Sequence, residues 1–264
     1  MPQPSSTIEE TAGAEGRHRR ILLLVQKLGY VSIEDLAGRF RVSPQTLRSD
    51  LRDLSARGLL RRHHGGASLL TTAVNTDYAL RHVENAAAKA AMARRAAQVV
   101  SDNTSVFLTL GTTVEAVASA LVGKRGLHVI TNSTAAGAIL GPEPEMTVHL
   151  TGGTMQRRNG GLTGPLAIEG IDRYRCDILL MSVGAVAPDG WLLDYHDDET
   201  AVARAMIANA TRVVVLADHS KLARTARCKV ANLRDISTLV TDAPLPTALA
   251  RLVRTAGVGV EVAA

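Results

Sequence analysis

Aromatic side chains are scarce in this sequence: two phenylalanines, four tyrosines and one tryptophan among 264 residues. A core must therefore be built from Ala, Val, Leu and Ile, which favours an α/β protein and argues against an aromatic-rich reader of carbohydrate or single strands. Cysteine is scarcer still. Cys176 and Cys228 are the only two, in no CxxC or ligand cluster, so nothing asks for an oxidising compartment. There is no long apolar run, and residues 1–16 are polar and acidic with no h-region, so the expected location is the cytoplasm. GxxxxGK[ST] loops, strand-following GxGxxG turns and GxSxG elbows are also missing, which weakens nucleotide-cofactor and serine-hydrolase readings. Asp218, His219 and Ser220 are consecutive, so their side chains diverge and form no triad. The run "HDDE" at 196–199 reads as a helix start, whose dipole favours carboxylates, in preference to a metal site. No cofactor and no metal is expected.

Positive charge is present but unevenly spread. Residues 16–67 hold eleven Lys/Arg against four Asp/Glu, a net of +7, whereas residues 68–264 hold nineteen against eighteen, a net of +1. Such a concentration is the electrostatic footprint of a phosphate-binding module.

Local patterns in that segment agree. In "SPQTLRSDLRDLSARGLL", Ser43 can cap a helix and Pro44 suits its first position. Leu47, Leu51 and Leu54 make an apolar stripe, and Gln45, Arg48, Ser49 and Arg52 recur on another face with Thr46 beside it. Alone, this helix is equally a solvated surface helix. Upstream, however, Ile21, Leu24, Val25 and Leu28 form a stripe ending at Gly29, and "SIEDLAGRF" follows with Ser32 and Asp35 at capping-box spacing. Leu36, Ala37 and Phe40 face inward there. Two short helices joined by "RVS" describe a helix-turn-helix. The stretch "LLRRHHGGASLL" predicts a two-stranded ribbon turning at Gly65-Gly66, the wing of a winged helix, with Arg61, Arg62, His63 and His64 near phosphate.

Past residue 81 the pattern alternates. An Ala-rich helix near 82–100, with Lys89, Arg94 and Arg95 exposed, precedes strands at "VFLTL", "HVIT", "MTVHLTGG", "DILLMSVGA", "RVVVLAD" and "STLVTD", with "VGVEV" as a final candidate. Helices fall between most of them. The fold class is α/β: a winged helix-turn-helix, then a doubly wound, largely parallel sheet whose ligand sits beyond the carboxyl ends of the strands. Turns there are rich in groups that suit a polyhydroxylated anion. They include Gly111-Thr112-Thr113 opening a helix, Thr131-Asn132, Gly152-Gly153, "GLTG" ending at Gly164, Asp194, Glu199 and Lys221. The expected boundaries are a disordered tail over 1–15, a DNA-binding domain over 16–70, a linker over 71–81 and a sensing domain over 82–264.

The stretch "GYVSIEDLAGRFRVSPQTLRSDLRDLSARGLLRRHHGGA" resembles the winged helix of the DeoR family of bacterial transcription regulators, with Ser49 where that family usually has Arg. The resemblance runs on from residue 17 over nearly the whole chain. Its sensor pieces stand here as Gly111-Thr112-Thr113, Thr131-Asn132, Thr151-Gly152-Gly153, Val183-Gly184-Ala185, Asp194 with Glu199, and Val215 to Lys221. Thr109 replaces the family's usual Asp, and Thr200 its usual Ala. The resemblance implies a sensor domain similar to ribose-5-phosphate isomerase, and a repressor of a carbohydrate operon whose inducer is a phosphorylated sugar or polyol. Operator DNA read by a homodimer or homotetramer is the expected partnership. The rival is a sugar-phosphate isomerase with an accessory DNA-binding tail, in which Glu199 would move protons and Lys221 anchor phosphate.

Overall fold

A computed structural model describes residues 14–28, 30–63, 65–68, 78 and 81–263. Most of the expected linker, and the tail up to residue 13, lie outside the described residues. The chain divides into two compact units, one up to Asn85 and one from Ala86 onward.

In the first unit, α1 (Ala14–Leu28) precedes β1 (Tyr30–Ser32), α2 (Ile33–Phe40), α3 (Pro44–Ala56), β2 (Arg61–His63) and β3 (Gly66–Ser68). The first helix begins at Ala14, two residues inside the expected tail. The Ser32 hydroxyl accepts the Asp35 amide at 3.0 Å and donates to the Asp35 carboxylate at 2.8 Å, which starts α2. Ser43 caps α3 by accepting from the Thr46 amide at 3.1 Å, with Pro44 at the first position. Between them Arg41 takes a left-handed φ of 52° and reverses the chain. Leu47, Leu51 and Leu54 are buried against Ile21, Leu22, Val25 and Leu36. Each such side chain contributes about 1.5–3 kcal/mol by leaving water.

The expected ribbon is a three-stranded sheet in the order β1-β3-β2. His63 pairs with Gly66, which in turn pairs with Ser32 of β1, so Gly66 belongs to a strand and not to the turn. Its residue type follows from space: a Cβ there would lie 2.1 Å from the Val31 carbonyl oxygen and 2.6 Å from the Tyr30 hydroxyl.

The second unit starts with α4 (Ala86–Gln98) and β4 (Ser105–Leu108), then α5 (Thr112–Leu121), β5 (His128–Thr131), α6 (Thr134–Leu140) and β6 (Thr147–Leu150). A hairpin, β7 (Thr154–Met155) and β8 (Leu162–Thr163), leads to α7 (Pro165–Asp172) and β9 (Cys176–Ser182). After β10 (Ala185–Val186) and β11 (Trp191–Asp194) come α8 (Asp197–Ala208), β12 (Ala210–Leu216), β13 (Cys228–Asn232), β14 (Thr238–Thr241), α9 (Thr247–Thr255) and β15 (Gly259–Val262). Seven strands form one sheet in the order β15-β14-β12-β9-β4-β5-β6, and every pairing in it is parallel. Parallel pairs need crossovers, so helices cover both faces and the strands read as continuous apolar runs. Phe107, Leu179 and Val215 pack on one face with α7, α8 and α9, while Val106, Leu108, Ile178 and Val214 pack on the other with α4, α5 and α6.

Three sequence expectations change here. The "GLTG" turn contains β8 of a hairpin, and β10, β11 and β13 form a small antiparallel sheet beside the main one. Lys89, expected on the exposed side of α4, is buried with Met92, Ala93, Ala96 and Ala97.

Gly66→Ala should destabilise the winged-helix unit by about 1–3 kcal/mol through this overpacking. Gly38→Ala, in the last turn of α2 with nothing within 4 Å of its Cβ, should stabilise the same unit by up to about 0.5–1 kcal/mol. Denaturant titration of the two variants checks both signs.

Candidate functional site

The third helix exposes Gln45, Arg48, Ser49 and Arg52 along one side while its leucine stripe is buried. Ser43 and Thr46 are committed to the helix start, their hydroxyls 2.9 Å apart. Such a helix, amphipathic and cationic on its outer face, has the width and chemistry of a major-groove reader. Arg61, Arg62 and His63 are exposed on β2. The His63 ring lies 5.9 Å from that of Tyr30, and its Nε2 is 2.7 Å from the Ser68 hydroxyl, so cross-strand contacts hold it. His64 lies outside the described residues.

The second site follows from sheet topology. From β4 the chain winds outward through β5 to β6, then returns to place β9 on the other side of β4 and winds away through β12. The loops after β4 and β9 thus leave in opposite directions and open a crevice at their carboxyl ends. Gly111, with φ at 116°, ends the β4 loop and caps α5 without any side-chain hydrogen bond, so the amides of the first helical turn face that edge. Lys89 reaches the same turn from α4 and donates from Nζ to the Thr112 hydroxyl at 3.0 Å. From β12, Asp218 accepts the Ser220 amide at 3.0 Å and its hydroxyl at 2.5 Å. Burial pushes the Asp218 carboxyl up, but the Ser220 hydroxyl and the charges of Lys221 and Lys89 outweigh it and hold the group below its ordinary value. The Lys89 ammonium thus meets the start of α5, and its charge and that of Lys221 both act on Asp218 beyond the end of β12.

Polar atoms along the same edge support a ligand there. Among the described residues, three buried side-chain oxygens have no hydrogen-bond partner: Thr109 Oγ1, Asn132 Oδ1 and Thr241 Oγ1. They follow β4, follow β5 and end β14, all at carboxyl ends. Buried polar atoms are normally satisfied, and a hydroxylated ligand or ordered water supplies what the chain does not.

Several of the other expected residues also make contacts within the protein. The Thr131 hydroxyl donates to the Leu108 carbonyl at 2.8 Å and accepts from the Ser133 amide at 3.0 Å. Thr113 is turned inward and buried. Gly152 and Gly164 are open, with positive φ, while a Cβ on Gly153 would meet the Thr163 carbonyl at 2.5 Å. Asp194 accepts the Tyr195 amide at 2.8 Å and stands against Gly184, just past β9. Glu199 is engaged: Arg158 donates to it from Nε at 2.5 Å, and Asn159 from Nδ2 at 2.9 Å. The same guanidinium binds both Asp198 oxygens from Nη2 at 2.8 Å. This clasp ties the β7–β8 hairpin to the start of α8. The hairpin also abuts the β4 loop, since a Cβ on Gly161 would meet Leu110 at 2.5 Å.

Sequence reasoning missed Lys89, Arg158 and Asp218 as site residues. Lys89 had a legible signal: with Met92, Ala93 and Ala96 it occupies the i, i+3, i+4, i+7 stripe, where a lone cation is out of place unless paired. Arg158 had none, because its partners are forty residues away.

Burial pushes the Asp198 carboxyl up, but Arg158 outweighs it, so the group sits below its ordinary value. The clasp therefore stabilises the fold above the usual carboxylate range near pH 4 and is lost as the pH falls through the lowered value. Arg158→Ala should cost about 1–3 kcal/mol at neutral pH, less than for a fully buried pair because Asp198 is partly exposed. Unfolding titrations should show that the variant has lost part of the acid sensitivity as well.

Residues 17–73 match the DeoR-like helix-turn-helix domain, and residues 84–243 match the DeoR C terminal sensor domain. The chain is 39% identical over 233 residues to the HTH-type transcriptional repressor CsqR of Escherichia coli, covering 88% of this chain and 89% of that protein. It is 35% identical to the glycerol-3-phosphate regulon repressor of the same organism, over 88% of this chain and 92% of that one. Among solved structures, ribose 5-phosphate isomerase A from Methanocaldococcus jannaschii aligns at 19% identity and a TM-score of 0.40, over 53% of this chain and 55% of that one. With both of its domains matched and relatives aligned over most of their length, the chain belongs to the DeoR family of transcription regulators.

Proposed function

We propose that this protein represses a carbohydrate-metabolism operon, binding operator DNA through α3 and the wing, and releasing it when a phosphorylated sugar or polyol occupies the carboxyl edge of the parallel sheet. The observation that carries the effector half is Lys89. A buried ammonium bonded to Thr112 at a helix start without a side-chain cap, with the charge of Lys221 also acting on Asp218, is the chemistry that binds a phosphate. In this reading Gly111 and Thr112 hold the phosphate with Lys89 and Lys221. Thr109 and Asn132 meet hydroxyl groups, and Gly152, Gly153, Gly164 and Asp194 line the rest of the edge.

Sensing is favoured over isomerisation by what surrounds the carboxylates. Glu199, the group that would move protons, is held by Arg158 and Asn159, and Thr109 brings no acid to the β4 loop. Operator release follows if the effector binds one global state better, with a coupling of about 1–3 kcal/mol. A homodimer or homotetramer would present paired reading helices to two half-sites.

Two experiments test the two halves. Arg48→Ala should cost roughly 1–3 kcal/mol of operator affinity if it contacts a base bidentately, and Arg61→Ala with Arg62→Ala should weaken operator and random DNA alike, with a shallower salt dependence. An operator affinity unmoved by Arg48→Ala sinks the assignment of α3. In thermal-shift titrations, glycerol 3-phosphate and a panel of sugar phosphates should include a compound that raises the melting temperature and lowers operator affinity, while its dephosphorylated form does neither. Lys89→Ala and Lys221→Ala should abolish both responses and leave operator affinity nearly intact. Turnover of the binding compound at an enzyme-like rate would reverse the reading.

A further inference from the structure

The third helix carries an acid in the middle of its cationic segment: residues 48 to 53 read Arg-Ser-Asp-Leu-Arg-Asp. Arg48, Ser49, Arg52 and Asp53 are exposed, but Asp50 is only 4% exposed. At about 100° per residue, Asp50 falls at the edge of the Leu47–Leu51–Leu54 stripe and roughly opposite Gln45, Arg48 and Arg52. Its carboxylate is fully engaged there. Arg17 donates from Nε at 2.5 Å and from Nη2 at 2.9 Å, and His18 Nε2 lies 3.0 Å from the oxygen that Nη2 reaches. Both partners belong to α1, and His18 is itself buried.

Burial pushes the Asp50 carboxyl up, but the Arg17 and His18 hydrogen bonds outweigh it and leave the group below its ordinary value. It is therefore ionised at neutral pH, although a free anion on a DNA-facing helix would repel phosphate. Apolar contacts hold α3 onto the core but are non-directional, so by themselves they leave its roll loosely defined. A bidentate, charge-assisted pair at one edge of the stripe is directional.

We propose that Asp50, pinned by Arg17 and His18, is a positioning residue for operator recognition. It sets the roll of α3 so that Gln45, Arg48 and Arg52 reach base edges together, and it touches no DNA itself. This rests on α3 being the reading helix. Arg17 correspondingly leaves the set of phosphate-facing cations.

The sign of the mutational effect separates this role from its rivals. Affinities of the full-length protein for operator and for random duplex are measured at one salt concentration for Asp50→Ala, Asp50→Asn, Arg17→Lys and Asp53→Ala, with the folded fraction followed by circular dichroism. Asp53→Ala removes an exposed acid and should tighten both duplexes slightly, up to about threefold. Asp50→Ala should weaken operator binding at least tenfold while random DNA changes less than about threefold, so the specificity ratio collapses. Asp50→Asn and Arg17→Lys, which preserve shape and part of the hydrogen bonding, should give intermediate ratios; they decide the matter if Asp50→Ala does not fold. The proposal is overturned if both duplexes tighten as for Asp53→Ala, or if both weaken in proportion to the folded fraction. Failure of Arg48→Ala to affect operator binding would instead remove the reading helix itself, so the two failures are distinguishable.

Discussion

The sensor unit depends on one constraint, that every pairing in its seven-stranded sheet is parallel. Parallel strands cannot be joined by tight hairpins, so each must be followed by a crossover, and every strand then delivers its next residue to the same edge. This gathers Thr109, Gly111, Asn132, Gly184 and Asp218 from stretches more than a hundred residues apart. The reversal of winding between β4 and β9 leaves a crevice at the middle of that edge, with helix α5 starting beside it. Neither an alternating nor an antiparallel sheet would set these groups side by side.

Charge is handled differently in the two units. Among the described residues, the first exposes most of its cations, as a phosphate-binding surface requires, and its one buried acid is matched by an arginine and a histidine. In the second, nearly neutral by composition, opposite charges are arranged as local sets: Arg158 between Asp198 and Glu199, and Asp218 near Lys89 and Lys221. Removing one member of a set leaves its partners, in part buried, without that charge, which costs more the deeper they lie. Such sets fix geometry, and geometry is what a sensor needs to distinguish one small polar molecule from another.

Much of the fold was legible from periodicity. Leu47, Leu51 and Leu54 mark α3, and runs such as Asp177–Ser182 and Arg212–Leu216 mark buried strands because both faces of a parallel sheet are covered. Shorter elements escaped. Strands β7 and β8 have two residues each, too few for any period to register. The "PDG" at 188–190 was an available hairpin signal before β11, with Gly190 at a φ of 87°. Helix α9, too, carries Leu249 and Val253 at i, i+4. Nothing local marks β13, whose partner β11 lies far upstream.

By itself the sequence determined the two modules, the concentration of basic charge in the first, the helix caps at Ser32 and Ser43, and the glycine turns along one edge of the second. These follow from propensity, period and turn chemistry, which act between near neighbours in the chain. Only the tertiary structure decided which charges meet. Lys89 lies inside because the α4 stripe packs on the sheet beside Thr112. Arg158 closes on Asp198 and Glu199 because the hairpin folds back over α8, and Asp50 faces Arg17 because α1 crosses α3. Pairings of this kind are set by where elements pack, and packing of distant segments leaves no local mark in the order of the residues.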